Sequence, residues 1–112
     1  MSSHVTTHVL DAAQGRPAAG IAVDLQRRDA DGWISVAEGT TDSDGRIGTL
    51  GPERLPSGTY RVSFAVADYF QAQQVRAFYP EVTVTFWVDE DENHYHVPVL
   101  LSPFAYSTYR GS

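Results

Sequence analysis

The sequence predicts an all-β protein, an antiparallel β-sandwich of seven to eight short strands with one short helix. Three observations predict it. Apolar residues alternate with polar ones through most of the chain, the period-2 pattern of strands that bury one face. Turn chemistry recurs between these runs, at Asp29-Ala-Asp-Gly32, Asp42-Ser-Asp-Gly45, Pro56-Ser-Gly58 and the acidic residues 89–93. Only one segment carries helical chemistry, and short strands at this spacing pack as a sandwich.

The elements follow in order. A short strand is expected over residues 5–10. Ile21, Val23 and Leu25 alternate with Ala22, Asp24 and Gln26 in a second strand, and residues 33–37 form a third. Tyr60, Val62, Phe64 and Val66 alternate with Arg61, Ser63 and Ala65; Val82, Val84, Phe86 and Val88 alternate with Thr83, Thr85 and Trp87. Residues 94–101 and 105–109 complete the set. Asp68-Tyr-Phe-Gln71 has the spacing of a capping box, which predicts a helix near residues 69–76, ended before Pro80.

Size and composition set the outer limits. A chain of 112 residues holds one hydrophobic core, so residues 1–112 are expected to form a single domain. No stretch approaches the roughly 18 apolar residues that span a bilayer, and Met1-Ser2-Ser3-His4 has neither the basic start nor the apolar run of a secretory leader. A soluble, cytoplasmic protein is the expectation. Cysteine is absent, which removes disulfides, thiolate nucleophiles and cysteine-ligated zinc. Fourteen acidic against eight basic residues give a net charge of −6, unfavourable for nucleic acid or anionic membrane as partners. An anionic ligand would need a locally positive pocket.

Two strands are apolar on both faces. Val5, Thr7 and Val9 share one face of the first, with Thr6, His8 and Leu10 on the other. Tyr95, Val97, Val99 and Leu101 share one face of the later strand, with His94, His96, Pro98 and Leu100 opposite. A sandwich needs only one buried face per strand, so the second faces are expected to be covered by another copy of the chain. His8 and His96 would then lie at or near a subunit contact.

The histidines fall in two same-face pairs, His4/His8 and His94/His96. Three readings stand side by side: surface or interface residues without chemistry; a zinc site built on His94-Tyr-His96 plus one further histidine; and general acid–base work by an imidazole titrating near neutrality. Arg46, just after the Asp42-Ser-Asp-Gly45 turn, is either solvated or a binder of a carbonyl-rich anion through its fork of donors. That turn lacks the third acidic ligand and distal glutamate of a calcium loop, and the acidic run at 89–93 reads as a solvated hairpin tip. No nucleophile elbow, Walker loop, dinucleotide fingerprint or His-Glu-x-x-His helix occurs. An enzyme built on this chain would use activated water.

Several stretches resemble a known family. Thr7-His-Val-Leu-Asp11, Gly15-Arg-Pro-Ala18, Thr41-Asp-Ser-Asp-Gly-Arg46, Phe78-Tyr-Pro-Glu81 and His94-Tyr-His-Val-Pro-Val-Leu-Leu-Ser-Pro103, leading to Tyr106-Ser-Thr-Tyr-Arg-Gly-Ser112, look like the transthyretin-related 5-hydroxyisourate hydrolases. The resemblance spans nearly the whole chain, and the tail is its most specific part, since it separates the enzymes from the hormone carrier on the same fold. It implies a transthyretin-like sandwich that opens the ring of 5-hydroxyisourate with water and without cofactor or metal, giving 2-oxo-4-hydroxy-4-carboxy-5-ureidoimidazoline in urate degradation. Carried over, the catalytic residues fall on His8, Arg46 and His96. Tyr109, Arg110, Gly111 and Ser112 become substrate-binding, with His94 and Ser107 supporting them from behind. The resemblance also implies a homotetramer with its sites between dimers. Val99 and Ala105 stand where leucine and glycine are common, a small departure. Two other classes remain at this stage, a small-ligand carrier and a metal-dependent cyclic amidohydrolase.

Overall fold

A computed structural model describes residues 3–112; the N-terminal Met1 and Ser2, on which the absence of a leader was partly read, lie outside the described residues. Among the described residues the chain forms β1 (Val5–Asp11), β2 (Arg16–Pro17), β3 (Ala22–Asp29), β4 (Gly32–Thr40), β5 (Arg46–Ile47), β6 (Gly58–Phe64), α1 (Val66–Ala72), β7 (Val82–Val88), β8 (Tyr95–Ser102) and β9 (Ala105–Thr108). Two sheets result. One runs β2-β1-β8-β9 with β5 also paired to β1, and the other runs β4-β3-β6-β7. No helix is long and apolar enough to cross a membrane among the described residues.

The second sheet is antiparallel throughout, as expected for strands joined by short turns. In the first sheet β1 and β8 run parallel, Val5 facing Tyr95 and Asp11 facing Leu101. The wholly antiparallel expectation fails at this pair. Parallel neighbours need a long crossover, and here the entire second sheet and α1 supply it. Nine strands replace the expected seven to eight because β2 and β5 are two residues each, too short to show alternation, and pair only along β1.

The inner faces meet in one core. Val5 and Val9 of β1, Val23 and Leu25 of β3, Tyr60, Val62 and Phe64 of β6, and Val97, Val99 and Leu101 of β8 are all buried. Each such side chain contributes about 1.5–3 kcal/mol relative to an exposed one, and together they fix which face of every strand points inward. Trp87, on the outward parity of β7, stays exposed.

The helix begins earlier than the capping box predicts. Val66 and Phe70, four residues apart, are its buried pair, and Ala65 caps it without a side-chain bond. Val66 therefore leaves the strand pattern to which period 2 assigned it. Period 2 and period 3.6 both accommodate a buried residue there, and the turn out of Phe64 decides for the helix. Asp68 sits in the first turn, where its charge favours the helix N-terminus without capping it. At the other end Gln74 adopts φ 57°. The Val75 N–H donates to the Phe70 carbonyl at 3.0 Å and the Gln74 N–H to the Gln71 carbonyl at 3.0 Å, the two bonds of a Schellman ending. Glycine adopts this left-handed conformation without Cβ strain. Gln74→Gly is accordingly expected to stabilise the fold by about 0.5 kcal/mol, less than the strain relieved because glycine also loosens the unfolded chain. Urea denaturation measures this, and a lowered midpoint would refute it.

Candidate functional site

Parallel pairing of β1 with β8 builds the site. Thr6 lies opposite His96, His8 opposite Pro98 and Leu10 opposite Leu100, so these six residues share the outer face of the first sheet. The face assignment made from alternation holds. Their inward neighbours Val5, Thr7, Val9, Val97 and Val99 are buried, while His8, Leu10 and His96 are half-buried and Leu100 is 36% exposed.

β5 brings Arg46 to the same face, directly across from His8. The turn before it is held by Asp42, whose Oδ1 accepts from the backbone N–H groups of Asp44 at 2.9 Å and Arg46 at 3.0 Å. The Arg46 N–H bond holds the Asp42 carboxyl below the ordinary carboxylate range despite some desolvation, helped by the Asp44 N–H and the nearby Arg46 and His8 charges. Asp42 thus works as a turn residue, in line with the turn reading over the calcium loop. Gly45 completes the turn at φ +75°, where an added Cβ would sit 2.3 Å from the Val9 carbonyl oxygen.

An open pocket of about 260 Å³ lies on this face, lined by Thr6, Thr7, Arg46, Ile47, Gly48, His94, His96 and Ser112. His94 and His96 stand with ring planes 18° apart and centroids at 6.4 Å. Both turn a nitrogen onto the same hydroxyl: Thr6 Oγ1 is 2.9 Å from His94 Nε2 and 2.8 Å from His96 Nδ1. Burial lowers the His96 pKa from its ordinary value, followed by the charges of His94, Arg46 and His8, with a hydrogen bond to Thr6 acting the other way. The neutral ring is thereby favoured, and Nε2 is free of that bond, the state a general base requires.

Other expected residues are placed differently. His8 Nε2–H donates to the Asp44 carbonyl at 3.0 Å, so His8 stands at the pocket rim beside Arg46 and braces the turn. His4 does not share a face with His8. It precedes β1 and is buried; its Nδ1 accepts from the Leu55 N–H at 2.9 Å and its Nε2–H donates to the Glu92 carbonyl at 2.7 Å. Its role is to fasten two loops. Among the described residues no three histidine, aspartate or glutamate side chains converge to hold a metal ion, and the extra ligand of the zinc reading is not supplied.

The tail divides. The Gly111 N–H donates to the His96 carbonyl at 2.9 Å, and a Cβ on Gly111 would lie 2.5 Å from His96 Cδ2. Only glycine lets the chain pass so close to the ring, and Ser112 then lines the pocket. Tyr109 and Arg110 line an adjoining hollow with Phe86, Trp87 and His96, so His96 borders both spaces. The Arg110 Nη2 donates to Glu92 Oε1 at 2.9 Å, and its guanidinium carbon sits 4.6 Å from the centre of the Tyr95 ring. Here the arginine rests on an exposed carboxylate and an aromatic face beside the site, with the same Nη2 3.4 Å from the His94 carbonyl. Ser107 pairs with Leu100 on β9, four strand residues, or about 13 Å, from the level of His96. The residue that does stand behind the histidines is Thr6. Its sequence signal was the parity it shares with His8.

The architecture and the polar pocket define a transthyretin-like sandwich with a histidine–arginine site on the outer face of one sheet. Transthyretin from Sparus aurata matches it at a TM-score of 0.91 and 35% identity, covering 96% of each chain. The chain belongs to the HIUase/Transthyretin family, whose profile matches residues 5–111. It is 48% identical to the 5-hydroxyisourate hydrolase of Deinococcus radiodurans over 100% of both chains. The crystal structure of Klebsiella pneumoniae 5-hydroxyisourate hydrolase matches at a TM-score of 0.88 and 33% identity, covering 98% of this chain and 99% of that one.

Proposed function

We propose that this protein hydrolyses 5-hydroxyisourate. The observation that carries this reading is the polarity of the pocket: His94, His96, Thr6, Arg46 and Ser112 line it, a set suited to a small polar anion and not to an apolar hormone. The relatives from Deinococcus radiodurans and Klebsiella pneumoniae carry that activity in their names. In this reading His96 Nε2 takes the proton of a water that attacks the ring carbonyl, and the imidazolium returns a proton to the departing ring nitrogen. Arg46 binds the substrate and stabilises charge developing on oxygen, with no carboxylate within 4.0 Å to neutralise it among the described residues. His8 holds the Arg46 turn through the Asp44 carbonyl. No cofactor is needed for water to cleave the cyclic amide.

The assembly proposed is a homotetramer with its pockets between dimers. Leu10 and Leu100, half-buried and exposed on the same outer face as the site, support it, since a second copy laid on that face would cover them and exclude water from the pocket. A cytoplasmic setting fits a chain without cysteine.

Generating 5-hydroxyisourate from urate in situ and following its absorbance tests the activity. Decay faster than the spontaneous rate is expected, and decay at the spontaneous rate would overturn the reading. Deleting residues 109–112 is expected to lower the catalysed rate at least about tenfold while costing under about 1 kcal/mol of stability, because the tail makes an exposed ion pair and few buried contacts. A truncated protein with unchanged kinetics would take the tail out of the site.

A further inference from the structure

We propose that Thr6 is the positioning residue of the pocket: its hydroxyl, shared between His94 Nε2 and His96 Nδ1, fixes the tautomer of His96 and carries the proton His96 gains over to His94. The inference rests on the hydrolase reading for its catalytic consequence, but the tautomer coupling stands on the geometry alone.

A threonine hydroxyl has one proton and two lone pairs. With a ring nitrogen at 2.9 Å and another at 2.8 Å, it can donate to one ring only, so at least one ring donates to it. In the arrangement that prepares His96 as a base, His96 Nδ1–H donates to Oγ1 and Oγ1–H donates to His94 Nε2. His96 then presents the lone pair of Nε2, and His94 carries its proton on Nδ1. The alternative sends Oγ1–H to His96 Nδ1, leaves His96 protonated on Nε2 and makes it an acid. One hydroxyl thus ties the two rings to opposite roles.

The same hydrogen bonds form a path. When His96 Nε2 accepts a proton from water, the ring holds protons on both nitrogens. Oγ1 takes the proton from Nδ1 while passing its own to His94 Nε2. His96 ends neutral with Nε2–H and the positive charge rests on His94; the reverse shift through Oγ1 restores the His96 imidazolium as its Nε2 proton passes to the departing ring nitrogen, so no proton is lost and no further reactant is needed. Burial, and the Arg46 charge nearby, disfavour a lasting charge on His96, so the transfer relieves it. Thr6 is 9% exposed and sits directly opposite His96 in the parallel ladder, which keeps its hydroxyl within reach of both rings.

The test compares Thr6→Val, which keeps the shape and removes the hydroxyl, with Thr6→Ser, which keeps the hydroxyl. Valine at this position is expected to lower kcat about tenfold or more with KM changed less than about twofold, and serine to retain most of the rate. In ¹⁵N-histidine spectra, wild type should show neutral His96 protonated mainly on Nδ1, and Thr6→Val should lose that preference. Equal activity of Thr6→Val and wild type, or equal loss in both variants, would overturn the catalytic role. An unaltered His96 tautomer in Thr6→Val would overturn the coupling. A wild type that fails to accelerate 5-hydroxyisourate decay, while Thr6→Val still shifts the tautomer, would sink the hydrolase reading and leave the coupling intact.

Discussion

Replacing His96 with alanine should lower turnover by about 100-fold or more, the lower end of what a general base contributes. The argument is geometric first. His96 reaches the pocket from the outer face of β8 with Nδ1 on Thr6, and Gly111 packs against its ring. No other imidazole is placed to replace it, since His8 Nε2 is bonded to the Asp44 carbonyl and His94 Nε2 to Thr6. Electrostatics sharpen the expectation. Burial, then the charges of His94, Arg46 and His8, hold the His96 pKa below its ordinary 6.5. Catalysis needs the neutral ring, so the acid limb of the kcat/KM profile should fall below pH 6.5 and activity should persist through mild acidification. Near-wild-type hydrolysis by His96→Ala would remove the residue from the mechanism, and an acid limb above the ordinary histidine value would contradict its environment.

The largest stability effect is expected at Gly45. Alanine there meets two costs at once: φ +75°, and a Cβ 2.3 Å from the Val9 carbonyl oxygen, with the Ala18 nitrogen and Pro17 Cβ each at 3.2 Å. The first costs about 1–2 kcal/mol and the overpacking a further 1–3 kcal/mol, so Gly45→Ala should lose about 3 kcal/mol and lower Tm by roughly 10 °C or more. Gly20 provides the comparison, for it has φ +81° and nothing within 4 Å of an added Cβ. Gly20→Ala should therefore lose only the torsional part, about 1 kcal/mol. Equal losses at the two positions would show that the close approach to β1 does not matter. Because the Gly45 carbonyl accepts the Val9 N–H at 2.7 Å, the same substitution should also loosen Arg46 and depress activity in whatever fraction remains folded.

Much of this was readable in the sequence, for definite reasons. Period 2 sorted the two faces of β1 and β8 correctly because one face of each is buried, and a one-residue slip would expose Val5, Val9, Val97 and Val99. Asp42 was readable as a turn residue because its chemistry is local. What local patterns missed is long-range. The parallel pairing of β1 with β8 joins segments whose side chains meet across about 90 positions, and β5 is too short to alternate. Thr6 shared the parity of His8, but nothing local marked it as the partner of two histidines, since threonine in a strand is ordinary. Arg110 was drawn to the site by family resemblance, while Glu92 passed as part of a solvated tip, and only the folded chain shows one holding the other.

The parallel seam between β1 and β8 also bears on how the protein comes into being. The sheet of β3, β4, β6 and β7 is assembled from neighbours in the chain and can close as soon as those segments have left the ribosome. β1 has no such neighbour on its long side. From the moment it emerges until β8 follows it, its edge is open and Val5 and Val9 have only half a core to cover them. The pocket, which needs Thr6 and Thr7 from the first strand and His94 and His96 from in or beside the later one, cannot exist in such a nascent chain. A ribosome stalled between β7 and β8 would hold a chain with one finished sheet, an adhesive leading strand and no site, a natural client for a chaperone.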